Sequence, residues 1–132
     1  MVLPGIQALF GFQLVAVFDD AFWHKLSGNE QIAHLVATAL IALAIGLIMT
    51  PAAYHRQTTP RWVTVDFIRL CTRLMLWAMV PMALGLCLDF YLVMVAVTRR
   101  SAVVAPIAVA LLLYYLMLWF VLPRVRRPGD AP

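Results

Sequence analysis

The chain predicts an all-α, polytopic membrane protein: an antiparallel bundle of four transmembrane helices. Three observations lead there. Four apolar runs cover residues 2–23, 32–53, 74–97 and 102–122. Each is about 20 residues or longer, the length at which a helix crosses a ~30 Å hydrocarbon core. Hydrophobic residues make up 64% of the 132 and charged residues 12%, against roughly 45–50% and 25% in soluble domains. The runs are continuous rather than alternating, so helices rather than barrel strands satisfy the backbone in lipid. No connection is long enough to fold separately. Residues 1–132 therefore read as a single transmembrane domain. Its helices are expected at about 2–23, 32–53, 66–97 and 102–122, with 123–132 as a cytoplasmic tail.

The first run opens on Pro4, which suits a first helical turn because its missing N–H would be unpaired there. It carries Gln7 and Gln13 among apolar neighbours and ends in Asp19, Asp20, Trp23, His24 and Lys25. It has no basic leader region and meets two acids instead of a small-residue cleavage site, so it reads as a retained span. The short polar stretch Ser27-Gly28-Asn29-Glu30 makes a hairpin with the second run. Ser27 or Asn29 is a candidate cap, and Glu30 is well placed in the first turn. The second run is rich in small residues, and Ala42 with Gly46 forms a small-xxx-small pair that favours close helix approach. That composition places this helix at the centre of the bundle. Thr50-Pro51-Ala52-Ala53 then carries the chain out of the membrane.

The third helix begins near Thr64 or Asp66, ahead of its apolar core. Asp66, Arg69 and Arg73 fall on one face at 100° per residue, so this opening is amphipathic and lies at the surface. Pro81, with Gly85 four residues on, is expected to bend the helix. A tight Thr98-Arg99-Arg100-Ser101 turn leads to the fourth helix, closed by Pro123 and followed by a short tail. Arg56, Arg61, Arg69, Arg73, Arg124, Arg126 and Arg127 flank one side, seven in all; Lys25, Arg99 and Arg100 flank the other. That bias places both termini in the cytoplasm. The net charge of +4 thus serves orientation and anionic headgroups at the cytoplasmic face, not nucleic acid.

Asp89 stands ~5 Å from the middle of its apolar core at 1.5 Å per residue. A charge at such depth costs at least ~2.5 kcal/mol, so Asp89 must face the interior and find a partner. Its structural reading is a pair with Lys25, Arg99 or His24, or a protonated carboxyl bonded to Gln13. Its functional reading is an ion or proton site. Gln13 and Asp20 share one face of the first helix, so Gln13, Asp20 and Asp89, with Thr38, outline a polar path that stops short of the cytoplasmic face. On that face Tyr54, His55, Arg56, Arg61, Arg69 and Arg73 form a candidate surface for lipid or a partner.

Glu30 and His34, four apart, with His24 across the hairpin, have zinc-like spacing. The plainer reading is an interfacial histidine bonded to a carboxylate, and no metal or cofactor is expected. Cys71 and Cys87 lie 16 residues apart on one helix, ~24 Å, too far to bridge. No nucleophile–base pair, phosphate loop or HExxH is present, so the chain reads as no enzyme.

The segment Leu3-Pro4-Gly5-Ile6-Gln7-Ala8-Leu9-Phe10-Gly11-Phe12-Gln13-Leu14 resembles the opening of an uncharacterised bacterial family of small four-helix membrane proteins. Met49-Thr50-Pro51-Ala52-Ala53-Tyr54-His55-Arg56 is similar to that family's signature at the end of its second helix. The likeness continues through Met79-Val80-Pro81-Met82-Ala83-Leu84-Gly85-Leu86 and Trp119-Phe120-Val121-Leu122-Pro123. Members sometimes carry a sodium:proton antiporter label. The resemblance implies a bacterial inner-membrane location and the four-helix topology, and it marks Gln7, Gln13, Pro51, Tyr54, His55 and Arg56 as motif positions. Two functions follow as expectations. The first is a non-enzymatic structural or accessory protein, acting as a homo-oligomer or as a small subunit of a larger membrane complex. The alternative is a small oligomeric ion- or proton-coupled transporter or channel using Asp89 and Gln13.

Overall fold

A computed structural model describes residues 2–58 and 64–125. Among them every regular element is a helix: α1 (Val2–Ala16), α2 (Asp20–Lys25), α3 (Gly28–Thr58), α4 (Val65–Thr98) and α5 (Ser101–Leu116). The last runs on through a π-helical turn at Met117–Val121 into α6 (Leu122–Val125). Arg61, Trp62, Arg126, Arg127 and the tail lie outside the described residues. Three helices are long and apolar enough to cross a membrane: Gly28–Gln57, Val65–Thr98 and Ser101–Arg124.

The first apolar run departs from expectation. It is not one span over residues 2–23. Its 15-residue α1 reaches ~22 Å at 1.5 Å per residue, short of the ~30 Å core. The amides of Phe18 and Asp19 close its last turn on the carbonyls of Val15 and Ala16 at 3.0 and 3.2 Å. Asp19 and Asp20 then favour a fresh helix start, because acids near a helix N-terminus complement its exposed N–H groups. The α2 turn follows, tied back by the Trp23 indole N–H on the Val17 carbonyl at 3.0 Å.

Helix α3 starts four residues earlier than its apolar run. Glu30 accepts the backbone N–H of Ser27 at 2.7 Å and its hydroxyl at 2.8 Å, the half of a capping box in which the third-position acid reaches back to the cap residue. At the other end Pro51 stays inside the helix, which continues to Thr58. Just before it the Thr50 hydroxyl donates to the Gly46 carbonyl at 2.8 Å, one residue ahead of the Leu47 carbonyl that Pro51 leaves without an amide donor. Tyr54, His55 and Arg56 are therefore helical and do not follow a helix end. Helix α4 is capped by Thr64, whose hydroxyl accepts the Phe67 amide at 3.2 Å. It holds Pro81 in its interior and ends on Arg99, which adopts the left-handed conformation with φ 56°.

The principal contacts run α1–α3, α3–α4 and α4–α5, with α3–α4 the most extensive. The centre is thus a seam shared by α3 and α4, rather than α3 alone within a closed four-helix bundle. Ala37, Ile41 and Ala44 of α3 are completely buried along it. The close approach falls at Gly85: a Cβ there would stand 2.9 Å from Ile41 Cδ1 and 3.1 Å from the Ala37 carbonyl. Ala42 and Gly46, the pair singled out by spacing, are exposed. Lipid tails give no hydrophobic drive between helices, so such close packing is what holds the seam.

Candidate functional site

Three side chains from three helices meet near one end of the seam. Gln13 is on the penultimate turn of α1, His34 on the second turn of α3 and Asp89 late in α4. His34 belongs to the inward stripe of α3, one turn from Ala37 and Thr38, and Asp89 to the small-residue stripe of α4 that passes through Ala78, Pro81 and Gly85. Packing those stripes together brings the two residues face to face. The Gln13 amide donates to Asp89 Oδ2. His34 Nδ1 lies 3.4 Å from Asp89 Oδ1, and the two side chains are 11% and 16% exposed. On its other edge His34 Nε2 lies 3.1 Å from the Gln13 backbone carbonyl. Phe22 of α2 packs its ring edgewise on the imidazole, centroids 5.2 Å apart. One turn along α3 the buried Thr38 hydroxyl donates to the His34 carbonyl at 2.9 Å.

Beside this cluster is a pocket of about 400 Å³, walled by Leu9, Phe12, Phe22, Leu92, Val93 and Ala96. Gln13, His34 and Asp89 give it polarity on one side, and Asp19 and Lys25 also line it. A carboxylate in such surroundings needs hydrogen-bond donors or a cation, because an uncompensated charge away from water is too costly. Gln13 supplies a donor and His34 the ionisable partner.

The sequence therefore pointed to Gln13 and Asp89, and the structure joins them. It does not bring Asp20 into the cluster: Asp20 is exposed on α2, and the acid at the pocket is Asp19. The ion-pair partner of Asp89 is His34, not Lys25, Arg99 or His24. Spacing sets Glu30 and His34 on one face of α3. The structure divides them, with Glu30 on Ser27 and His34 on Asp89. No group of three or more His, Cys, Asp or Glu among the described residues is arranged to hold a metal. The overlooked signal was the phase of His34, which shares the face of Ala37, Thr38 and Ile41 at helical spacing.

At the far end of the membrane the candidate cytoplasmic residues divide. Tyr54 stacks on Phe67 of α4 with centroids 6.1 Å apart and planes 12° apart, and His55 meets the same ring at 5.0 Å. Phe67, unmarked by the sequence, ties the end of α3 to the start of α4. Arg56, Arg69 and Arg73 are exposed around it. Arg61 lies outside the described residues.

Neither a curated protein nor a solved structure matches the chain. A family model matches residues 1–123, nearly the whole of the chain and all of the site just described, and so the chain belongs to the family of unknown function DUF6328.

Proposed function

We propose that this protein is a non-enzymatic accessory component of the bacterial inner membrane, working through association with itself or with other membrane subunits. The observation that carries this reading is the filled, apolar α3–α4 seam. Between the Gln13–His34–Asp89 cluster and the Tyr54–His55–Phe67 cluster, the buried described residues of α3 and α4 are Ala37, Thr38, Ile41, Ala44 and Pro51, and Ala78, Pro81, Ala83, Gly85 and Cys87; the one hydroxyl among them, Thr38, is bonded one turn back to the His34 carbonyl. Polar groups thus gather at the two ends, and a single protomer offers an apolar barrier between them. Meanwhile α5 leaves most of its apolar surface uncovered, with 6% of its spanning window buried, a face available to lipid or to another helix.

Orientation belongs to the same proposal. The seven-to-three distribution of basic residues puts both termini in the cytoplasm. Reporter fusions at Pro132 test it: a cytoplasmic reporter is active there, and an active periplasmic reporter refutes the assignment. The mass of the solubilised protein tests the accessory reading. A discrete oligomer, or a complex that purifies with other chains, supports it; a protein that stays monomeric in nanodiscs and is captured with no partner opposes it.

The Gln13–His34–Asp89 cluster favours a second reading, an oligomeric ion- or proton-coupled transporter using Asp89 and Gln13. Under that reading Asp89→Asn leaves folding intact and abolishes gradient-driven flux in proteoliposomes. Absence of flux by the wild-type protein across several cations and pH gradients removes it.

A further inference from the structure

We propose that His34 and Asp89 form a single proton-binding site, holding one proton between them, and that this occupied site fastens α1 to the α3–α4 core. The argument rests on the hydrogen-bond inventory, and it stands whether or not anything is transported.

His34 Nε2 faces a backbone carbonyl at 3.1 Å. A carbonyl only accepts, so Nε2 carries a hydrogen, and the neutral ring then presents a lone pair at Nδ1. That lone pair points at Asp89 Oδ1, 3.4 Å away. Oδ1 is buried and has no other hydrogen-bond partner, while Oδ2 is engaged by the Gln13 amide N–H. Three occupancies follow. With no proton in the gap, two lone pairs oppose each other beside a buried negative charge. With two, an N–H meets a carboxylic acid whose remaining oxygen already faces a donor, so the Gln13 amide must turn over. With one, on either atom, Nδ1 and Oδ1 are joined, Oδ2 keeps its donor and the pair is neutral overall. The low-dielectric setting makes the neutral total decisive, since an unpaired buried charge costs several kcal/mol.

Few other titratable groups stand near the pair. From α1 comes Gln13, which does not titrate. From the α1–α2 connection and the end of α2 come Asp19 and Lys25 at the pocket. Phe22 covers the imidazole from α2. On α3 the nearest acid, Glu30, is bonded to Ser27. On α4 the neighbouring titratable side chains are Cys87 and Tyr91, and the described α5 carries Tyr114 and Tyr115 toward its far end. Both hydrogen bonds from the site to α1, at the Gln13 amide and the Gln13 carbonyl, are made by the two side chains that the shared proton holds together.

The full chain in nanodiscs, labelled with ¹⁵N-histidine and ¹³C-aspartate, counts the proton directly at pH 7.5. The expected wild-type spectrum shows either a protonated His34 Nδ1 or a protonated Asp89 carboxyl; in His34→Gln, where a lone buried carboxylate is too costly, the Asp89 carboxyl is expected protonated and amide exchange in α1 faster. A wild-type sample with Nδ1 unprotonated and the carboxyl ionised overturns the proposal, and needs no variant to fold. Both groups protonated at that pH overturns it equally. Amide exchange in α1 as slow in His34→Gln as in the wild type shows that the site does not fasten α1 and also overturns the proposal. None of these outcomes reads flux or subunit mass, so a failure here is distinct from a failure of the functional readings above.

Discussion

Adding one methyl group at Gly85 tests whether the α3–α4 seam holds the molecule together. The Cβ of Gly85→Ala would stand 2.9 Å from Ile41 Cδ1, 3.0 Å from Ile41 Cγ1 and 3.1 Å from the Ala37 carbonyl. Ordinary carbon contacts lie near ~3.5–4.0 Å. Ile41 is completely buried, so its Cδ1 yields only by a rotamer change against packed neighbours, and the carbonyl is fixed in the α3 ladder. The helices must therefore part by several tenths of an ångström. Overpacking of this kind costs ~1–3 kcal/mol, whereas alanine gains ~1 kcal/mol over glycine within a helix. The net expectation is a loss of about 1 kcal/mol. Ile41→Val removes Cδ1 and by itself costs ~0.5–1.5 kcal/mol. In the double variant the valine makes room for the new methyl, so the two losses fall short of their sum by about 0.5–1 kcal/mol, a coupling typical of residues in contact. Unfolding in mixed micelles by titration with sodium dodecyl sulfate, followed by circular dichroism, measures all three variants. A Gly85→Ala protein as stable as wild type, or a strictly additive double variant, refutes the tight-seam argument.

Three further outcomes are expected. Asp89→Leu leaves His34 and the Gln13 amide facing an apolar side chain, a loss of about 3 kcal/mol, whereas Asp89→Asn, which retains hydrogen bonding, loses about 1 kcal/mol; the same micellar titration ranks them, and equal stability of the two contradicts the pairing. Arg99 occupies a left-handed position, φ 56°, that glycine adopts without strain, so Arg99→Gly is expected to raise stability by roughly 0.5–1 kcal/mol, and a loss of stability in that titration is the contrary result. Neutralising Arg56, Arg69 and Arg73 together weakens retention of anionic lipid in nanodiscs by roughly tenfold or more, since each basic side chain near such a surface contributes on the order of 1 kcal/mol; unchanged lipid retention refutes the surface.

By itself the sequence determined where this protein belongs and what its helices are made of. Length, apolarity and the need to satisfy backbone groups in lipid specify helices near 32–53, 66–97 and 102–122 with little dependence on neighbours, and the structure carries them as 28–57, 65–98 and 101–124. Asp89 and Gln13 were legible for a related reason: a polar group deep in an apolar run must be paired. Tertiary structure decided the partners. His34 carries the same local signal as any interfacial histidine beside Glu30, and only the packing of α3 on α4 brings it to Asp89. The α1 break has the opposite lesson, because hydropathy averages across Asp19 and Asp20 while local hydrogen bonding at Val15 and Ala16 ends the helix there. Small-residue spacing likewise named Ala42 and Gly46, although the close contact is at Gly85 with Ala37 and Ile41. Spacing along one helix records which residues are small; the rotation of two helices about their axes selects which of them meet.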